Sequence, residues 1–206
     1  MKDSTIAIID ELVARYPVLS GVRPQIDSAL AILLECYRAG GKVLVCGNGG
    51  SASDAEHIVG ELLKTFKKPR ALPSELASRL RPELASRLEG SLAAVSLVSM
   101  SGIVSAFAND VAWETAFAQQ ALGLARPGDV LIALSTSGNS ANCVAAAEVV
   151  KAVGGRTLAF TGECASALSA MCDVAIRVPE RETFKVQELH LPVYHALCAA
   201  VEEELF

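Results

Sequence analysis

Over the first forty positions, apolar side chains return every third or fourth residue, the period of one buried helical face. Ile6, Ile9, Leu12 and Val13 predict a helix over 4–16, and Ile26, Leu30, Leu33 and Leu34 a second over 23–38. Pro17 and the Ser20–Gly21 pair part them, so an antiparallel helical hairpin is expected, closed at its far end by Gly40–Gly41. The period then changes. Lys42–Cys46 is a short apolar run with β-branched residues, too short for a helix and suited to a strand buried on both faces. From there helix-like and strand-like stretches alternate. Helices are expected at 52–66, 102–108, 113–124, 141–153, 165–172 and 184–205, and strands at 91–98, 129–134, 157–160 and 174–178. That alternation predicts an α/β fold with a doubly wound, five-stranded parallel sheet covered on both faces. Ligands of such sheets sit outside the carboxyl ends of the strands.

One segment interrupts the pattern. Residues 67–90 carry Glu75-Leu-Ala-Ser-Arg-Leu80 and, unchanged, Glu83-Leu-Ala-Ser-Arg-Leu88. Two copies are too few for a repeat architecture, so the segment is expected to be an insertion, partly helical. Lys64, Lys67, Lys68, Arg70, Arg79, Arg81 and Arg87 face only Glu75, Glu83 and Glu89, a basic patch on a protein of net charge −5. A solvated arm or subunit contact is one expectation, and a lid that attracts an anion is another.

The overall acidity argues against a nucleic-acid partner, which would require neutralised phosphates. No apolar run is long enough for a membrane span, and the N-terminus lacks the core of a secretory signal, so a cytoplasmic protein is expected. None of the six cysteines forms a Cys-x-x-Cys pair, which suits reduced core thiols.

Two loops carry candidate chemistry. Gly47-Asn-Gly-Gly-Ser51 runs from a strand into a helix, where free backbone N–H groups favour an anion. A P-loop is excluded because no Lys follows the last glycine. The dinucleotide pattern lacks its acidic residue about 20 positions on, so no nucleotide cofactor is expected. Ser135-Thr-Ser-Gly-Asn-Ser140 also joins a strand to a helix, and its four hydroxyls exceed what an N-cap needs and suit a phosphate monoester. His57 and Glu61, four apart on a helix, converge on one face. The other two histidines, His190 and His195, lie near the C-terminus.

Gly47–Ser51, Asp54-Ala-x-His57-x-x-x-Glu61, Asn109-Asp110, Ser135–Ser140 and the segment from Gln187 to His195 together resemble the sugar isomerase (SIS) domain family, and within it the phosphoheptose isomerases. The resemblance spans nearly the whole chain. It implies a flavodoxin-like single domain over 1–206 in a homotetramer, with the helices of 1–40 used in oligomerisation. It also implies conversion of sedoheptulose 7-phosphate to D-glycero-D-manno-heptose 7-phosphate. The substrate contacts it implies are Asn48, Gly49, Gly50, Ser51, Glu61, Asn109, Asp110, Ser135, Thr136, Ser137, Ser140 and Gln187. Glu61 and His195 would be the acid/base pair, and His57, Glu61, Gln187 and His195 would hold zinc.

Gln187 and His195 stand eight residues apart, about 12 Å along a straight helix, so sharing one metal needs a kink at Pro192 or a neighbouring subunit. His190 is either an outer-shell group or a packed helix residue. The competing class is a non-catalytic SIS-domain sensor or adaptor, which would keep a phosphate loop and lack the acid/base residues. The 67–90 insertion leaves from the end of the helix bearing Glu61, so the identity of the sugar stays open.

Overall fold

The computed structural model describes all 206 residues. Five parallel strands form one sheet: β1 (Val43–Gly47), β2 (Ala94–Ser96), β3 (Val130–Leu134), β4 (Arg156–Thr161) and β5 (Val174–Arg177), in the spatial order β2-β1-β3-β4-β5. β1 and β3 run in register from Val43 opposite Val130 to Gly47 opposite Leu134. The strand order reverses between them, so the loops after β1 and β3 open side by side at the switch point where such sheets bind ligands.

The alternation of side chains along each strand divides the core in two. Val43, Val45, Val130, Ile132, Leu134 and Phe160 face α1 (Asp3–Arg15), α2 (Arg23–Arg38), α3 (Gly50–Leu63) and α10 (Thr183–Leu205). Leu44, Cys46, Leu131, Ala133 and Ala159 face α7 (Ala116–Leu124), α8 (Ala141–Ala152) and α9 (Ala167–Met171). The doubly wound expectation therefore holds. α2 ends as its glycines require: Gly40 takes φ +76° and the Gly41 N–H reaches the Cys36 carbonyl at 2.9 Å. α1 packs chiefly along α10, and α2 lies on α10 and β5. No helix is long and apolar enough to cross a membrane.

Three local differences from the sequence pattern are informative. The 91–98 run yields only the three-residue edge strand β2, because its single neighbour is β1. The 113–124 helix is split into a 3₁₀ turn over Trp113–Thr115 and α7, while α6 extends over Ser101–Asp110. Within residues 67–90 each copy of the repeat makes a single helical turn, α4 (Ser74–Ala77) and α5 (Pro82–Ala85), and no residue from Ala71 to Glu89 is buried.

The base of that segment is a different matter. Arg70 is completely buried and donates from Nε to Glu202 Oε1 at 2.7 Å, from Nη1 to the Leu62 carbonyl at 2.6 Å and from Nη2 to the Glu61 carbonyl at 2.9 Å. Glu202 in turn accepts from the backbone N–H groups of Phe66, Lys67 and Lys68 at 2.8, 2.7 and 3.1 Å. Burial alone would push its carboxyl up, but the Phe66 and Lys67 N–H groups and Arg70 outweigh that and hold it below the ordinary range. The last carbonyls of α3 are thus satisfied by a guanidinium. Gly90 N–H closes the segment onto the Arg70 carbonyl at 2.8 Å. Lys64, Lys68, Arg70 and Arg79 pair with Glu61, Glu203, Glu202 and Glu75, so four of the patch's seven cations are paired within the chain.

Candidate active site

The two loops meet as their positions at β1 and β3 require. Gly49 takes φ +57°, a conformation that side chains resist, and turns the chain into α3. Asn48 and Asn142, at the start of α8, exchange amide hydrogen bonds of 2.9 Å in both directions, tying the first loop to the helix that follows the second. Asn48 therefore spends its side chain on loop structure. Ser135 is buried, with its Oγ 2.8 Å from Ser140 Oγ, while Thr136 is half-buried and Ser137 exposed. Gly138 takes φ +68°, and a Cβ there would stand 2.0 Å from Ser166 Oγ, so the turn admits only glycine. Ser51 is buried at the start of α3, beneath Gln187, whose amide lies 3.5 Å from Ser51 Oγ. A Cβ on Gly50 would meet that same amide at 2.8 Å.

A second cluster lies farther along α3 and α10. His57 Nε2 is 3.2 Å from Glu61 Oε1 and 3.4 Å from His195 Nε2. Lys64 Nζ stands 3.1 Å from the other Glu61 oxygen, so both carboxylate oxygens are engaged. Phe66 tilts against the His195 ring at 5.6 Å and closes one side. Burial and then the adjacent His57 hold the His195 imidazole below its ordinary pKa, which favours the neutral ring. A groove of about 400 Å³ between α1 and α10 runs up to His195 and is lined in part by Leu12, Tyr16 and Phe66.

The expected site residues thus fall into groups. His57, Glu61 and His195 come together, as do the two loops with Gln187. Gln187 stands at the loop end of α3 and not beside the histidines, because α10 runs as one helix through Pro192. Along α3, Glu61 lies about 15 Å beyond Ser51. Asn109 and Asp110 sit exposed at the end of α6, hydrogen-bonded to each other at 2.8 Å, and α6 packs on the Trp113–Thr115 turn and α7. His190 is a packed helix residue: it is wholly buried, its ring edge-on to Phe160, with Nε2 3.3 Å from the Thr161 carbonyl.

Sequence reasoning passed over two groups that the structure adds. Tyr194 Oη lies 3.1 Å from both Asp54 Oδ1 and His57 Nδ1. Arg70 holds the Glu61 backbone. The spacing Asp54–His57, one turn of helix, and the adjacency of Tyr194 to His195 were the available signals for the first; nothing local marked the second.

Residues 18–162 match the SIS domain family. Over 205 residues the chain is 35% identical to the phosphoheptose isomerase of Rhodospirillum rubrum, covering 100% of this chain and 99% of that protein. The solved phosphoheptose isomerase of Neisseria gonorrhoeae superposes with a TM-score of 0.73 at 30% identity, covering 97% of this chain and 94% of that one. That of Francisella tularensis gives 0.77 at 28%, covering 98% and 94%. With its sheet order, its paired serine-rich loops and these relatives, the chain belongs to the SIS domain family, in the phosphoheptose isomerase branch.

Proposed function

We propose that this protein is an aldose–ketose isomerase that converts sedoheptulose 7-phosphate to D-glycero-D-manno-heptose 7-phosphate, working in the cytoplasm. The reading is carried by the meeting of Glu61, His57 and His195 in a chain whose full-length relatives bear the name phosphoheptose isomerase. A sugar-phosphate sensor needs the serine loops and has no use for a carboxylate set against two imidazoles.

The chemistry follows from the groups present. The two loops take the phosphate, with backbone N–H groups at the start of α3 and the hydroxyls of Ser51, Ser135, Thr136, Ser137 and Ser140 as donors, and with Asn48, Asn109, Asp110 and Gln187 in the wider contact set. At the other end Glu61 removes the proton from C1, leaving an enediolate over C1 and C2. His195 gives a proton to O2 and receives the one from O1, and Glu61 returns its proton to C2. No atom is gained or lost.

Zinc is part of the proposal. Around a tetrahedral zinc with bonds of about 2.0–2.1 Å, neighbouring ligand atoms stand about 3.3 Å apart. The 3.2 and 3.4 Å separations from His57 Nε2 to Glu61 and His195 match that edge, and two imidazoles with a carboxylate are donors that zinc takes. Only the two separations from His57 are at ligand spacing: the three side chains do not form a metal-holding cluster in this structure, and Gln187 stands apart from them. His57, Glu61 and His195 would hold the ion, which when bound supplies Lewis-acid stabilisation to the enediolate oxygens.

Assembly into a homotetramer through the N-terminal helices completes the reading. An extended heptose phosphate spans about 10 Å from phosphorus to C1, and a contact of about 3 Å at each end lets it reach across the roughly 15 Å between Ser51 and Glu61 along α3. The test is isomerisation in D₂O followed by proton NMR. Aldoheptose 7-phosphate is expected, with solvent deuterium at C2 in the fraction of turnovers in which the proton on Glu61 exchanges before its return; binding of the ketose with neither conversion nor exchange at C1 would establish the sensor reading instead.

A further inference from the structure

His57 sits where its protonation pattern decides what the cluster can do, and the structure contains a device that sets it. Tyr194 is 1% exposed, and its hydroxyl lies 3.1 Å from Asp54 Oδ1 and 3.1 Å from His57 Nδ1. The phenol has one proton to give and two neighbours to satisfy. A carboxylate only accepts, so the hydroxyl proton goes to Asp54. The phenol oxygen is then an acceptor facing His57, which a ring proton on Nδ1 satisfies. The opposite tautomer would serve Glu61 Oε1 and leave Asp54 and the buried phenol oxygen without a proton between them, whereas the Nδ1–H form leaves its unserved contact at the exposed His57–Glu61 edge, where Lys64 already engages the carboxylate.

With Nδ1–H committed, His57 turns the lone pair of Nε2 toward Glu61 Oε1 at 3.2 Å and His195 Nε2 at 3.4 Å. The three rings interlock edge-on: His57 to Tyr194 at 5.5 Å, His57 to His195 at 4.9 Å and Tyr194 to His195 at 4.9 Å. Asp54 and His57 share a face of α3, and Tyr194 and His195 are consecutive on α10, so one contact between two helices sets both imidazoles.

We propose that Tyr194 and Asp54 are positioning residues that fix His57 as the Nδ1–H tautomer, with Nε2 held as a free lone pair toward Glu61 and His195. The inference rests on the isomerase reading only for its consequence; the tautomer itself is a property of the unliganded protein. A lone pair aimed at a carboxylate and a second imidazole is suited to hold a cation, and a hydrogen-bonded partner on the remote nitrogen is how such a ligand is oriented.

The test is long-range proton–nitrogen NMR of the full chain labelled with ¹⁵N-histidine, at about pH 8 so that neutral rings are observed. Wild type is expected to show His57 with a protonated Nδ1 and an unprotonated Nε2. In Tyr194→Phe the proton is expected to move to Nε2, drawn by Glu61. In Asp54→Ala the phenol loses its acceptor and turns its proton to Nδ1, giving the same reversal with the tyrosine in place. A wild-type His57 protonated at Nε2, or variants that fold yet leave its nitrogen shifts unmoved, would overturn the proposal. A loss of about 10- to 100-fold in kcat with KM little changed is expected alongside the shift. Should the wild type prove inactive on every sugar phosphate, the nitrogen shifts still decide the tautomer.

Discussion

Arg70 offers the sharpest test of how residues 67–90 are joined to the rest of the molecule. Replacing it by Met keeps its approximate length and removes its charge and three donors. Glu202, 1% exposed, loses its ion pair but keeps three backbone N–H groups, so it is weakened and not stranded. Removing one partner of a buried pair costs about 3–5 kcal/mol, and the remaining N–H groups place this case near the lower end. The carbonyls of Glu61 and Leu62 lose their donor as well, at about 1 kcal/mol each. A total of about 5 kcal/mol follows, which for a chain of this size lowers the melting temperature by roughly 10–20 °C. The assay is urea unfolding of Arg70→Met, Glu202→Gln and the double variant. The double variant should recover about 1–2 kcal/mol relative to the sum of the singles, because the uncompensated carboxylate is gone. A loss below about 1 kcal/mol for Arg70→Met, or strict additivity, would refute the idea that the pair holds the end of α3.

Two other expectations are independent of it. Burial lowers the His190 pKa to about 4, and its Nδ1 has no partner. The folded state thus resists a proton that the unfolded chain accepts at about 6.5, so stability is complete above that pH and falls as pH drops toward 4. The loss amounts to about 3 kcal/mol, and His190→Gln should flatten it in urea titrations from about pH 7 to 4. Replacing residues 72–88 by a short Gly-Ser link removes both repeats and no buried residue, and keeps Arg70, Glu89 and Gly90. The unfolding free energy should change by less than about 1 kcal/mol; a collapse on deletion would show that α4 and α5 are structural.

Much of the fold was legible because the burial pattern is simple. Val43–Gly47 and Val130–Leu134 are buried at every position and read as apolar runs with glycine- or serine-rich ends. The edge strand β2 was overdrawn, since an apolar side chain such as Leu92 is buried with its N–H on the Leu62 carbonyl and not on a neighbouring strand. In the site, helical spacing alone placed His57 beside Glu61. It could not place His195 beside them, which depends on how α10 lies across α3, nor keep Gln187 out, which depends on α10 running unbroken through Pro192. The Arg70–Glu202 and Asp54–Tyr194–His57 contacts join residues more than 130 apart, and no local pattern reports such pairs.

The central claim is that the loops hold a sugar phosphate on which Glu61 acts. It is tested most directly by comparing wild type with Glu61→Gln on sedoheptulose 7-phosphate, measuring turnover and calorimetric binding on the same samples. Wild type should isomerise the ketose, and the variant should bind it within about fivefold while losing at least 10²-fold in kcat, the usual worth of a positioned base. Turnover undiminished in Glu61→Gln, or wild type that binds the ketose and never converts it, would contradict the account.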